Sequence, residues 1–149
     1  MEKFSVLLVE DNEGDILLTR EALESSRYIG QLTTLKNGQA AIDYLENILE
    51  NGSADLPGII LLDINLPKKN GHEVLQFIKT HDKLKHLPVL MLTTSSAEKD
   101  IMASYQNHAN CFLSKPIQID HFIELVNKVE EFWLNTVAIP NRKNITFHG

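Results

Sequence analysis

Short apolar runs alternate along this chain with longer stretches whose apolar positions recur at helical spacing. The runs are Phe4 to Val9, a weaker Thr-rich one from Gln31 to Lys36, Gly58 to Leu62, Pro88 to Leu92 and Cys111 to Leu113. Around them the pattern predicts helices over residues 13–26, 38–50, 70–81, 97–107 and 118–134. The last carries Ile119, Phe122, Ile123, Val126, Val129, Phe132 and Trp133, an apolar stripe suited to packing on a sheet. Local chemistry agrees at the joints. Ser95 with Glu98 reads as a capping box, and Gly38 and Gly71 stand where a turn meets a helix.

Strands that need no polar alternation are buried on both faces, so these βα units imply a parallel sheet covered by helices on both sides. Right-handed crossovers restrict it to a doubly wound form, and five strands favour the order 2-1-3-4-5, an α/β fold of the flavodoxin-like type. At 149 residues the chain is the size of one domain, expected over residues 1–135. From Thr136 to Gly149 the helical pattern ends, and Pro140 to Asn144 reads as part of a polar tail.

Composition narrows the class. With 43% hydrophobic and 23% charged residues the chain has the balance of a globular domain and not of a disordered one. A net charge of -6 argues against nonspecific binding to nucleic acid or an acidic membrane and favours a protein partner or a cation. The lone cysteine, Cys111, cannot form an intramolecular disulfide, and its apolar setting suggests a buried thiol. The N-terminus lacks the basic and apolar regions of a signal peptide, and no apolar run is long enough to span a membrane. A cytoplasmic location is the expectation.

In an open parallel sheet ligands bind beyond the carboxyl ends of the strands. Here Glu10 and Asp11 follow the first run, Asp63 the third, Thr93 and Thr94 the fourth, and Ser114 and Lys115 the fifth. Three carboxylates at one rim would repel one another unless a hard divalent cation sat among them. Magnesium, or manganese in its place, suits carboxylate oxygens and leaves coordination room for phosphate. Lys115 and Thr93 could then hold phosphoryl oxygens, and Asp63, after the most central run, is the best placed carboxylate to attack phosphorus.

The runs Leu7-Leu8-Val9-Glu10-Asp11, Leu61-Leu62-Asp63-Ile64-Asn65-Leu66-Pro67 with Gly71, Pro88 to Thr93, and Phe112-Leu113-Ser114-Lys115-Pro116 resemble those of receiver domains of two-component response regulators. The resemblance covers about residues 4–130. It implies that Glu10, Asp11 and Asp63 bind magnesium with the backbone carbonyl of Asn65, and that Asp63 accepts phosphate from a histidine kinase. It implies too that Thr93 and Lys115 contact the phosphate, that Phe112 is the aromatic which swings inward when Thr93 moves, and that Lys115-Pro116 is a cis bond. Glu10 departs from the more frequent Asp.

Within the family, Asn65 to Gly71 and Phe132-Trp133-Leu134 are most similar to the small single-domain regulators associated with bacterial phytochromes. That likeness points to a bacteriophytochrome as the kinase. No output domain follows the receiver pattern, so the expected output is contact with a downstream protein. Phe132 and Trp133 read as anchors of the last helix, with a homodimer contact as the lesser alternative.

Taken singly these residues have plainer readings. Glu10, Asp11 and Asn12 could simply start a helix, Asp63 could belong to a turn before Pro67, and Lys115 could be a solvated loop lysine. Their joint placement after separate strands argues against coincidence. Asp11 to Asp15 imitates the start of a calcium loop, but Ile16 and Ala22 stand where that loop needs Gly and Glu. The six histidines lack zinc spacing. A magnesium-dependent phosphohydrolase with an Asp nucleophile is the main alternative, although Asn65 stands where it would carry a second acid. In a flavodoxin-like FMN carrier Glu10 and Asp11 would repel the phosphate, and the full acid set argues against an interaction protein that works without phosphate.

Overall fold

A computed structural model describes residues 4–24, 29–52, 55–93 and 111–124. In chain order the elements are β1 (Phe4–Val9), α1 (Glu13–Glu24), β2 (Ile29–Leu35), α2 (Gly38–Glu50), β3 (Ile59–Asp63), α3 (Gly71–Thr80), β4 (Val89–Thr93) and β5 (Cys111–Ser114). A further helical segment occupies residues 119–124. The five strands form one sheet in the order β2-β1-β3-β4-β5, with every neighbouring pair parallel, as the alternation of runs and helices predicts. β1 matches its apolar run, and the other strand bounds shift by one or two residues, most at β2, which begins at Ile29 and leaves Lys36 outside. That strand lies at the sheet edge and is only partly covered, so its hydrophobic signal is weak.

Strand parity divides the core into two layers. Leu7, Val9, Ile60, Leu62, Val89 and Met91 point to the side where α2 and α3 contribute Ala41, Leu45, Val74, Leu75 and Ile78. Val6, Leu8, Ile59, Leu61, Leu90 and Leu92 point to the other side, against Ile16 and Leu23 of α1 and against Phe122. Each central strand is thus apolar at successive positions because both its faces are covered. Complete burial of one such Leu or Ile contributes about 2 kcal/mol.

Local chemistry sets the helix starts. Asn70 caps α3 in a reciprocal box with Glu73, and the Asn37 side chain accepts the Ala40 amide at the start of α2. A Cβ on Gly38 would lie 1.8 Å from the Lys69 carbonyl oxygen, and one on Gly71 would lie 2.4 Å from that of Asp63. Both glycines are therefore required by backbone approach, and both pin the loop that follows β3. Lys115-Pro116 is cis. The expected Ser95 and Glu98 capping box, the helix expected over 97–107, the part of the expected last helix beyond residue 124 with Phe132 and Trp133, and the tail expected from 136 lie outside the described residues, as does the side chain of Cys111.

Candidate functional site

The pairing register decides what meets at the carboxyl edge of the sheet. Val9 pairs with Leu62, which brings the next residues, Glu10 and Asp63, level on adjacent strands. Thr93 pairs with Ser114 on the other side of β3, so Lys115 leaves the sheet beside the same edge. The backbone repeats the pattern: the Glu10 amide donates to the Leu35 carbonyl at 2.9 Å, and the Lys115 amide to the Thr93 carbonyl at 2.9 Å.

Glu10, Asp63 and Thr93 are buried at 0%, 3% and 1% exposure, and Thr19 is the only other buried polar side chain among the described residues. Buried polar groups are retained where they have partners or work to do. Glu10, Asp11 and Asp63 each offer a carboxylate oxygen within 4.8 Å of the others, with Asp11 exposed at the mouth. The Asn65 amide donates to Asp63 Oδ1 at 3.2 Å, and the Asn12 amide to Glu10 Oε2 at 3.2 Å.

The Lys115 ammonium closes the cluster. Its Nζ donates to Glu10 Oε1 at 2.6 Å, Asp15 Oδ2 at 3.0 Å and Asp63 Oδ2 at 3.1 Å. Burial opposes that charge, but the bonds to Glu10 and Asp15 and the nearby charges of Asp63 and Glu10 outweigh it, holding the ammonium above its ordinary range. Burial pushes the Glu10 carboxyl up to about 7, and its hydrogen bond with Asp63 adds to the rise. Without a metal, Glu10 therefore holds a proton more readily than an exposed carboxyl does.

Asp15 is the residue that the sequence pattern does not single out. It sits in the first turn of α1, which begins three residues after Glu10, and its carboxylate reaches the Lys115 ammonium at the same rim. The Asn12 side chain fixes that turn by accepting the Asp15 amide at 2.9 Å. The plainer reading of Asn12 as a helix start therefore holds alongside the site. Its place in the first helical turn after the acids that end β1 is the signal that could have found Asp15, but the imperfect calcium-loop pattern gives the same acids a different reading. Phe112 is half-buried against the core layer of α2 and α3, and Thr94 lies outside the described residues.

A doubly wound sheet with buried acids at its carboxyl edge and a lysine bonded to them defines a class, and residues 6–127 match the response regulator receiver domain. The chain belongs to that family, whose members are the signalling modules of two-component systems. It is 44% identical over 135 residues to response regulator Rcp1 of Synechocystis, covering 91% of this chain and 92% of that protein. The crystal structure of the Mn(2+)-bound form of Rcp1 superposes with a TM-score of 0.67 at 43% identity, over 93% of this chain and 99% of the other. The phosphorylated cyanobacterial phytochrome response regulator RcpA gives 0.69 at 42% identity, over 93% and 99%. The bacteriophytochrome response regulator AtBRR gives 0.77 at 36% identity, over 95% and 100%. Among the described residues no helix is long and apolar enough to cross a membrane.

Proposed function

We propose that this chain is a phosphoacceptor response regulator whose Asp63 carboxylate receives a phosphoryl group from a histidine kinase. The observation that carries the reading is the geometry of one rim: three carboxylates within 4.8 Å of one another, with an ammonium 3.1 Å from Asp63. Similarity to a cyanobacterial phytochrome response regulator, RcpA, and to the bacteriophytochrome response regulator AtBRR supports a phytochrome as the kinase, with a downstream protein as the proposed recipient of the signal. On this reading the receiver spans residues 1–135 and residues 136–149 follow it as a tail.

The residues fit a divalent cation. Glu10 is wholly buried and its carboxyl is raised by burial and by Asp63, a repulsion that a hard cation relieves where a proton otherwise would. Glu10, Asp11 and Asp63 would hold magnesium or manganese with the carbonyl of Asn65. When bound, the ion neutralises charge that builds on the phosphoryl oxygens.

An Asp63 oxygen forms the new bond to phosphorus as the bond to the donor's imidazole nitrogen breaks, and that nitrogen takes up a proton. The Lys115 ammonium, exchanging carboxylate contacts for phosphate contacts, and the Thr93 hydroxyl bind phosphoryl oxygens. Water attack on phosphorus reverses the modification and releases inorganic phosphate. The acyl phosphate shifts an equilibrium between two packings, and the altered surface is what a partner reads.

Intact-mass measurement after incubation with acetyl phosphate and magnesium tests the reading. One phosphoryl adduct that needs the metal and disappears in Asp63→Asn is expected. Sustained turnover of generic phosphate esters without an adduct would replace it with a hydrolase.

A further inference from the structure

We propose that Asp15 is a positioning residue that holds the Lys115 ammonium at the rim, so that its remaining donors are set for the incoming phosphoryl group. The proposal rests on the receiver reading above. Three carboxylates share this ammonium, and two of them, Glu10 and Asp63, belong to the group that can also share a cation. Asp15 lies outside that group, so its bond of 3.0 Å is the one carboxylate contact that cation binding need not draw away.

Position and local structure support the assignment. A lysine side chain has four rotatable carbon bonds, and holding its head in one place requires a fixed partner. Asp15 is anchored by the first turn of α1, where the Asn12 cap sets its backbone. Its side chain is 31% exposed, against 10% for Lys115, so the contact lies at the mouth, between bulk water and the buried acids. The other two partners are buried and stand on the strand side of the ammonium. Asp15 thus pulls the head outward, toward the side from which a phosphodonor arrives.

Charge alone predicts the opposite effect, which makes the sign of the result decisive. Removing a carboxylate from an acidic mouth eases the approach of an anionic donor and would speed phosphorylation. Loss of positioning slows it.

The test compares native protein with Asp15→Ala and Asp15→Asn, each also in a Lys115→Ala background, using acetyl phosphate and magnesium with intact-mass detection. Asp15→Ala is expected to slow adduct formation about fivefold, the upper range for a partly exposed pair, and to add nothing once Lys115 is gone. Asp15→Asn, which keeps an acceptor oxygen, should fall between. Magnesium affinity measured by calorimetry should be unchanged. A faster reaction in Asp15→Ala, or equal slowing in both backgrounds, overturns the proposal.

An independent readout is the nitrogen-15 spectrum of the Lys115 ammonium in the metal-loaded protein. A slowly exchanging signal in native protein that is lost in Asp15→Ala is expected; a signal indifferent to that substitution overturns the proposal even if Lys115→Ala takes up no phosphoryl group. Native protein that forms no Asp63 adduct defeats the receiver reading, whereas an adduct with an indifferent ammonium defeats only the role of Asp15.

Discussion

The ammonium of Lys115 stands 2.6 Å from Glu10 Oε1, joining residues 105 positions apart across the carboxyl edge of the sheet. The pair is buried, with side-chain exposures of 10% and 0%, so each charge depends on the other for its solvation. Lys115→Ala leaves two buried carboxylates without their cation. Urea unfolding of the metal-free variant at pH 8 should show a loss of about 3 kcal/mol. At pH 5.5 the loss should shrink, because Glu10 can then take a proton in place of the ion pair. An equal loss at both values would refute the buried pairing.

In the proposed metal set, proton and metal compete for the Glu10 carboxylate. Glu10 is raised from 4.5 to about 7 in the metal-free protein. Its folded form therefore binds a proton more tightly than its unfolded form, and the resulting stability is full below pH 4.5 and is lost as pH rises through 7. Magnesium binding must displace that proton, so affinity should climb about tenfold per pH unit below 7 and level off above it. Calorimetric titrations in buffers of different ionisation enthalpy would count the proton released. A flat affinity from pH 5.5 to 8 would separate Glu10 from the metal.

Asp11 offers a contrast, since it is exposed where Glu10 is buried. Asp11→Asn removes one proposed ligand and one like charge without opening the core. Magnesium affinity should fall at least about tenfold, while metal-free stability should hold or rise by a few tenths of a kcal/mol. Thermal unfolding with and without magnesium checks both signs. A large loss of metal-free stability would assign Asp11 a structural task instead.

Most of this site is legible in the sequence because continuous apolar runs, set between stretches of period 3.6, place strand ends well, and a parallel sheet gathers its strand ends at one edge. Glu10, Asp63, Thr93 and Lys115 each end an apolar run or follow it within two residues, so fold topology alone brings them together. Asp15 is not legible by that route, because it comes from the first turn of a helix and meets Lys115 only through side-chain reach. The mixed burial of β2 likewise blurs its start, since an edge strand gives no continuous apolar run. The backbone contacts of Gly38 and Gly71 explain why turns fall where they do, but which loop each touches depends on tertiary approach.

Gly71 ties the scaffold to the chemistry, and it gives the last prediction. Its amide donates to the Ile64 carbonyl at 2.9 Å, and the space where a Cβ would go is filled by the Asp63 carbonyl oxygen at 2.4 Å and by Ile64 Cα at 2.7 Å. These obstacles are backbone atoms, so they cannot rotate away as a flexible side chain could. Gly71→Ala must instead push the loop from Ile64 to Asn70 outward, displacing Asn65, whose amide holds Asp63 Oδ1. A destabilisation of about 1 to 3 kcal/mol is expected from the overpacking. The same shift should slow Asp63 phosphorylation by acetyl phosphate even at a temperature where the variant is fully folded. Gly52→Ala serves as the control, because Gly52 has a positive φ of 97° but nothing within 4 Å of the place a Cβ would take, so it should lose stability alone. If the two variants slow phosphorylation equally, the loop after β3 does not set the geometry of the acceptor.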